Sequence, residues 1–188
     1  MARDRVGVFG GTFDPPHVGH VAALVAAAQS GRFDRIEVVV AGDPYQKTSE
    51  REVRPALECL ALASAAFEGL ELVHVSDIEV RRDGPSYTLD TVRELLHDAL
   101  SVDVLVGADV AANMGEWEGA AELADLVKVG IFPRPGTAVT FPAGFICYEI
   151  SMPPVSVSST TVRDLLRDDA VTNQVPERII PLLAQSPE

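Results

Sequence analysis

The chain has 188 residues, of which 47% are hydrophobic and 23% are charged, a balance typical of a globular protein. This length suits one domain over residues 1–188, because two independent halves would each bury only a small core. The formal net charge of −13 argues against nonspecific nucleic-acid binding, which needs a positive face that releases phosphate counterions.

The apolar segments and the cysteines indicate the cellular compartment of the protein. The longest apolar runs, such as residues 22–28 and 38–41, fall short of the roughly 20 residues that cross a bilayer. The N-terminal segment is charged and lacks the apolar core of a secretory signal. Cys59 and Cys147 are too few for a disulfide framework and lack metal-ligand spacing, so both are predicted to be buried thiols. We therefore expect a cytoplasmic protein that does not span a membrane.

The chain begins with a predicted strand, a loop and a helix. Residues 5–9 form a short apolar run, typical of a buried strand, and residues 10–16 are dense in glycine and proline. Apolar residues then recur at helical spacing over residues 17–28, and Gly31 ends that segment. A glycine loop between a strand and a helix is the usual start of a nucleotide-binding α/β unit.

Strands and helices continue to alternate to the end of the chain. Residues 36–41 contain Ile36 and three consecutive valines, which is typical of a strand covered on both faces in a parallel sheet. This alternation predicts an α/β fold with a doubly wound parallel sheet, whose ligand loops lie at the carboxyl ends of the strands. The further strands are predicted at residues 70–75, 102–106, 127–132 and 145–150, and the further helices at 55–67, 87–100, 118–126, 159–167 with Ser158 as its N-cap, and from Pro176 onward.

The first strand is followed by a run of glycine, proline and histidine that predicts an anion site. Gly10 and Gly11 let the backbone approach a ligand closely, and the next helix presents free N–H groups with partial positive charge. His17 and His20 are three residues apart, which places both imidazoles on one face of the first helical turn. Two alternatives stay open here: ordinary helix-start histidines, or a metal ion held by the pair.

A second anion site is predicted far downstream, at residues 157–163. Ser158, Ser159 and Thr160 offer hydroxyls and free backbone N–H groups at a helix start, and Arg163 follows one turn later. A serine-capped surface helix would show the same pattern. The presence of the first motif favours the functional interpretation.

These motifs resemble those of a known family. The run from Gly10 to His20 is similar to the HxGH signature of the nucleotidyltransferase superfamily, and its full length most resembles the bacterial nicotinate mononucleotide adenylyltransferases. Residues 157–163 are similar to the family's ISSTxxR signature, with Val157 in place of isoleucine. The resemblance implies a single-domain, Rossmann-like nucleotidyltransferase fold. It further implies transfer of AMP from ATP to nicotinate mononucleotide, giving deamido-NAD and pyrophosphate in NAD biosynthesis, with Mg²⁺ accompanying ATP.

The resemblance also implies a set of ATP-binding residues. The two histidines would be the catalytic residues at the α-phosphate, and the downstream hydroxyls and arginine would hold the β- and γ-phosphates. A Gly-x-Asp at the carboxyl end of the strand at 102–106 would contact adenosine, unless its aspartate only caps the next helix. The ATP set is Gly10, Gly11, Thr12, His17, His20, Gly107, Asp109, Ser158, Ser159, Thr160 and Arg163.

A further set of residues is implied for the acceptor. Tyr87 and Thr88 lie in a segment similar to the family's SYTxxTL and would receive the pyridine carboxylate, while Trp117 would stack on the nicotinate ring. Arg134, in an RPG turn, and Lys47 would supply cations near the mononucleotide and its phosphate. The alternatives are a packing tyrosine, a core tryptophan and a solvated lysine.

Two other functions stay open. Another HxGH adenylyl or cytidylyl transferase, such as pantetheine-phosphate adenylyltransferase, shares the histidine motif, although Tyr87, Thr88 and Trp117 suit nicotinate mononucleotide better. A nucleotide-binding sensor would keep the pocket without turnover, and the intact His17 and His20 argue against it. The sequence does not fix the preference for the acid or the amide mononucleotide, and it leaves a homo-oligomer open.

Overall fold

The computed structural model describes residues 4–43, 54–167 and 173–183. Within these ranges, six strands form one sheet, in which each neighbouring pair is parallel. The strands are β1 (Arg5–Gly11), β2 (Arg35–Val40), β3 (Val73–Ser76), β4 (Ser101–Gly107), β5 (Lys128–Phe132) and β6 (Ile146–Glu149).

Helices connect these strands and cover both faces of the sheet. The described part of the chain also forms two short 3₁₀ turns, Met114–Glu116 and Glu177–Ile179. The helices are α1 (Val18–Gln29), α2 (Ala56–Phe67), α3 (Thr88–Leu95), α4 (Ala108–Ala111), α5 (Ala120–Leu126), α6 (Ser159–Arg167) and α7 (Ile180–Leu183).

The strand order is β3-β2-β1-β4-β5-β6, which confirms the predicted doubly wound fold. Helices α1, α2 and α6 pack on one face of the sheet, and α3, α4 and α5 pack on the other. The connection that follows β1 therefore runs to one face of the sheet, and the connection that follows β4 runs to the other face. A crevice opens between the carboxyl ends of these two neighbouring strands, at the position where doubly wound folds bind ligands.

The central strands β2 and β4 carry apolar residues at successive positions because both of their faces are covered. Val38 and Val40 belong to the core on one face, while Val39, between them, belongs to the core on the other face. Side chains alternate across a strand, so neighbouring residues of a strand covered on both sides are often both apolar. Leu105 and its neighbour Val106 in β4 divide between the two cores in the same way.

Some boundaries differ from the predicted ones. The helix predicted over 87–100 ends at Leu95, because the chain turns at residues 96–99 before the N–H of Leu100 bonds to the carbonyl oxygen of Asp4 and β4 begins. The predicted helix at Pro176 begins as a 3₁₀ turn, and the short α4 was not predicted. Within the described ranges, no helix combines the length and apolar character of a bilayer-spanning segment.

The two cysteines are free thiols. Cys59 is buried in α2, as predicted, and burial raises the pKa of its thiol to about 12. Cys147, in the edge strand β6, is only half-buried, because an edge strand is covered less completely than a central one. Neither thiol lines the crevice between β1 and β4.

Candidate active site

A cavity of about 470 Å³ opens at the carboxyl ends of β1 and β4. Arg163 is not among the lining residues, and Lys47 lies outside the described residues. The remaining fourteen predicted site residues all line the cavity: Gly10, Gly11, Thr12, His17, His20, Tyr87, Thr88, Gly107, Asp109, Trp117, Arg134, Ser158, Ser159 and Thr160.

The two histidine rings are stacked on one another. His17 is the extended N-cap residue of α1, and His20 lies on the first turn of that helix. The ring centroids are 3.6 Å apart and the ring planes differ by 17°. The spacing in the sequence thus brings both imidazoles to the same wall of the cavity, beside the glycine loop.

A backbone hydrogen bond sets the tautomer of His20. The N–H of His17 donates to Nδ1 of His20 at 3.1 Å, so Nδ1 carries a lone pair and no proton. In the neutral ring the proton must then be on Nε2, which becomes a hydrogen-bond donor. A donor of this kind is suited to a phosphate oxygen.

His17 is a neutral group in the folded protein. Its side chain is 2% exposed, and its pKa is lowered to about 4, first by burial and then by the positive charge of Arg134. Near pH 7 the ring therefore acts as a dipole rather than as a fixed cation. An anion in the cavity would reverse part of this effect by favouring the protonated ring.

The glycine loop is shaped around a buried aromatic ring. Phe13 has a φ of +49° and is 2% exposed, and its ring packs edge-on against His20 with 5.1 Å between centroids. A Cβ at Gly11 would come within 3.1 Å of this ring. Gly11 thus allows Phe13 to turn inward and support the face of α1 that carries His20.

The second motif lies directly on the first. The hydroxyl of Ser159 donates to the carbonyl oxygen of Pro15 at 3.0 Å. The guanidinium of Arg163 donates to the carbonyl oxygen of Asp14 and, at 2.9 Å, to the hydroxyl of Thr160. Although Arg163 does not line the cavity, it joins the two predicted anion sites into one cradle.

Ser158 begins α6 as a helix cap. Its hydroxyl oxygen accepts the N–H of Thr161 at 3.1 Å, which is the bond expected of an N-cap serine. The predicted start of this helix at residue 159 is confirmed. Ser158 also lines the cavity, so its capping role and a ligand role are compatible.

A buried ion pair neutralises the acidic residue of the glycine loop. Asp14 is 1% exposed, and its carboxylate lies 2.6 Å from the guanidinium of Arg54, just before α2. Unpaired, this carboxylate would repel a phosphate bound to the same loop. The sequence did not identify Arg54 as a functional residue, because its partner is forty positions away.

A second ion pair links the predicted adenosine and acceptor residues. Nε of Arg134, after β5, lies 3.2 Å from the Asp109 carboxylate, after β4. A Cβ at Gly107 would come within 2.6 Å of that carboxylate, so glycine is needed for the side chain to fold back over the strand end. Arg134 is therefore fixed near the histidines as well as at the mouth of the cavity.

The predicted acceptor residues lie on the other wall. Tyr87 is the N-cap residue of α3, Thr88 is its first residue, and both are half-buried. Trp117, also half-buried, packs against the core formed with α3, α4 and α5. These residues therefore form a second subsite, which lies beside the cradle that carries His17 and His20.

Sequence reasoning missed Glu79, which also lines the cavity. Its side chain is 8% exposed, and burial raises the pKa of the carboxyl above its ordinary value. The hydroxyl of Thr91 donates to Oε1 of Glu79 at 2.6 Å. The available signal was an acidic residue between Ile78 and Val80, shortly before the tyrosine segment.

Comparison with known proteins gives the family. The model of the cytidylyltransferase-like family matches residues 8–165. A relative from Exiguobacterium sibiricum, named "Probable nicotinate-nucleotide adenylyltransferase", is 33% identical over 96% of this chain and 96% of its own. A relative of the same name from Halalkalibacterium halodurans is 35% identical over 87% of this chain and 80% of its own.

Solved structures agree on the fold. The nicotinic acid mononucleotide adenylyltransferase of Plasmodium falciparum, solved with NaAD, superimposes with a TM-score of 0.71 and 18% identity over 88% of each chain. At this identity the likeness concerns the fold alone, whereas the family match and the bacterial relatives cover most of the sequence. The chain therefore belongs to the cytidylyltransferase-like family and, within it, to the nicotinate-nucleotide adenylyltransferases, which are nucleotidyltransferase enzymes.

Proposed function

We propose that this chain transfers the AMP part of ATP to nicotinate mononucleotide, giving deamido-NAD and pyrophosphate in NAD biosynthesis. The observation that carries the proposal is the meeting of two distant motifs in one cavity. The stacked His17 and His20 form one side of the cradle, and Ser159, bonded to Pro15, brings in the other. Tyr87 and Trp117 line the same cavity and would form the subsite for the acceptor.

The chemistry requires no covalent intermediate with the protein. A phosphate oxygen of the acceptor attacks the α-phosphorus of ATP in line, a P–O bond to the acceptor forms, and the bond to the bridging oxygen of the leaving pyrophosphate breaks. The attacking phosphate is already anionic near pH 7, so it needs no general base. Catalysis then consists of placing two polyanions together and stabilising the developing charge.

The proposed roles follow from the described contacts. His20 donates from Nε2 to an α-phosphate oxygen, and His17 is the neutral neighbour that can take up a proton as charge develops. Arg134, paired with Asp109, lines the cavity and would offer its remaining guanidinium donors to the mononucleotide. Orientation of the two reactants can contribute about 7–11 kcal/mol to the lowering of the barrier, and each well-aimed donor adds several more.

We propose that Mg²⁺ enters with ATP, as part of the substrate. Among the described residues, no group of three or more His, Cys, Asp and Glu side chains could form a cage for a metal ion. The carboxylates of Asp14 and Asp109 are each paired with an arginine, and that of Glu79 accepts from Thr91. The chemistry that Mg²⁺ supplies is neutralisation of phosphate charge, for which the triphosphate oxygens are the preferred ligands.

Several further predictions from the sequence stay proposals. They are one domain over residues 1–188, a cytoplasmic location and the absence of nucleic-acid partners. The catalytic and binding roles of the individual residues belong with them, including that of Lys47. Whether the protein forms homo-oligomers is left open.

An acceptor panel tests the function. The purified protein is incubated with ATP, Mg²⁺ and one of nicotinate mononucleotide, nicotinamide mononucleotide or phosphopantetheine, and both pyrophosphate and the dinucleotide product are measured. We expect kcat/KM to be highest with nicotinate mononucleotide, with deamido-NAD formed in equal amount to pyrophosphate. A preference for phosphopantetheine would favour the related transferase, and ATP binding without pyrophosphate from any acceptor would favour a sensor.

A further inference from the structure

Glu79 is a buried ionisable group that the proposed chemistry does not use. It lies between β3 and α3, lines the cavity on the acceptor side, and is 8% exposed. Burying a carboxylate is costly unless hydrogen bonds compensate for the lost water. Its surroundings should therefore explain why this position is not apolar.

Two hydroxyls compensate for the burial. The hydroxyl of Thr91, itself fully buried in α3, donates to Oε1 of Glu79 at 2.6 Å. The hydroxyl of Ser86 also stabilises the charged form of Glu79, as does the positive charge of Arg82. Arg82 additionally donates to the Thr91 hydroxyl at 3.3 Å. The carboxylate thus fixes the direction of two hydroxyls on either side of Tyr87 and Thr88.

Ser86 passes this constraint to the loop that follows β2. Its hydroxyl oxygen accepts the N–H of Gly42 at 3.0 Å and that of Asp43 at 3.1 Å, and its own N–H donates to the carbonyl oxygen of Asp43 at 3.0 Å. A hydroxyl that donates to Glu79 keeps its lone pairs directed at these two amides. A Cβ at Gly42 would overlap the carbonyl oxygen of Glu79, so the two segments also touch through their backbones.

We propose that Glu79 is a positioning residue for the acceptor subsite. Its carboxylate orients Ser86 and Thr91, and these hydroxyls fix the turn that presents Tyr87 and Thr88 to the mononucleotide. The inference rests on the proposed function, since it assigns the subsite to the acceptor. A carboxylate that served packing alone would affect the free energy of unfolding. It would leave the ratio of the KM values for the two substrates unchanged.

The test is a comparison of KM and kcat in the variant Glu79→Gln. Glutamine keeps the size of the side chain but presents an NH₂ group to one of the two hydroxyl donors. We expect KM for nicotinate mononucleotide to rise about tenfold, which corresponds to the loss of one hydrogen bond to a charged group. KM for ATP and kcat should each stay within about twofold of the wild-type values, because the histidine cradle lies on the other wall.

Glu94→Gln is the matched control. Glu94 is on α3, its carboxylate pairs with Nη2 of Arg82 at 2.9 Å, and its side chain is half exposed. The same chemical change therefore removes one negative charge from the same network without touching the cavity. This variant should keep the wild-type KM for both substrates.

Amide hydrogen exchange supplies a readout that does not depend on turnover. Loss of the Glu79 carboxylate should release the Ser86 hydroxyl and speed exchange at the amides of Gly42 and Asp43 by about tenfold, relative to Glu94→Gln. If the wild-type protein does not use nicotinate mononucleotide, the proposed function fails, while this exchange measurement still reports on the role of Glu79.

Three results would overturn the positioning role. They are an unchanged acceptor KM in Glu79→Gln, equal increases in KM for both substrates, and unchanged exchange at Gly42 and Asp43. If Glu79→Gln does not unfold cooperatively, Thr91→Val is measured instead, because it removes a single hydroxyl donor and keeps the side-chain shape. A selective rise in acceptor KM would then support the proposal, and an unchanged KM would reject it.

Discussion

The hydroxyl of Ser159 donates to the carbonyl oxygen of Pro15, joining two positions that are 144 residues apart in the chain. Arg163 reinforces this contact with its bond to the carbonyl oxygen of Asp14. Both bonds reach backbone atoms of the glycine loop rather than its side chains. The shape of that loop therefore depends on α6 as well as on its own residues.

Arg163→Lys should weaken ATP binding. Lysine keeps the charge but lacks the planar fork that reaches Asp14 and Thr160 together. We expect kcat/KM for ATP to fall about 10- to 100-fold, corresponding to about 1.4–2.8 kcal/mol. Steady-state kinetics at saturating acceptor would measure it. The control is Arg81→Lys, because Arg81 is exposed and pairs with Asp77; the KM of this variant for ATP should not change. A wild-type KM for ATP in Arg163→Lys would contradict a role of the Arg163 contacts in ATP binding.

His20→Ala should remove most of the activity and leave the fold intact. Alanine suits a helical position, so α1 should form without the His20 ring, whereas the Nε2 proton of that ring is directed at developing phosphate charge in the proposed mechanism. Loss of one such donor typically lowers kcat by about 10²–10³. Single-turnover rates and thermal unfolding would be measured together, with the exposed His97→Ala as control. A His20→Ala protein that retains most of its turnover would remove this histidine from the mechanism.

Burial of His17 should make stability depend on pH between about 6.5 and 4. The folded pKa is about 4 and the ordinary value is 6.5, so below pH 6.5 the unfolded chain binds a proton that the folded one does not. The contribution of His17 to the free energy of unfolding is therefore fully present above pH 6.5. It falls by at most about 1.4 kcal/mol per pH unit toward pH 4. Urea unfolding at several pH values would show a flatter profile for His17→Asn than for the wild type. Parallel profiles would show that the ring is not kept neutral.

Gly10→Ala should separate ligand binding from stability. A Cβ at Gly10 would meet no protein atom within 4 Å, yet this residue lines the cavity. The added methyl group should leave Tm nearly unchanged and raise KM for ATP by about tenfold or more, because it occupies space that the nucleotide needs. Gly115→Ala, also in open space but outside the cavity lining, should alter neither quantity. An unchanged KM in Gly10→Ala would place ATP elsewhere.

Much of this architecture could be predicted because it depends on local patterns. Val38, Val39 and Val40 of β2 face the two cores in turn, so this part of the strand reads as one apolar run. Glu37, just before this run, is buried and pairs with Arg35. The spacing of the two histidines likewise predicted that both lie on one face of α1, since three residues make nearly one helical turn. Helix ends were less predictable, as α3 shows, because the register of the next strand decides where the chain must turn.

Contacts between distant residues could not be read from the sequence. Asp109 and Arg134 each matched a motif, but their ion pair arises only because β4 and β5 are neighbours in the sheet. Glu79 was missed for a related reason. Its partner Thr91 is buried on the helix that follows, and nothing in the local composition distinguishes a buried carboxylate from a solvated one.

The late position of α6 has a consequence for protein synthesis. A nascent chain that ends before Ser159 already contains all six strands and both histidines, but not the hydroxyl and guanidinium groups that hold the loop at Asp14 and Pro15. The loop at Asp14 and Pro15 therefore gains these contacts only after α6 has left the ribosome and docked. The two sides of the cradle are made at well-separated times, the histidines first and α6 much later.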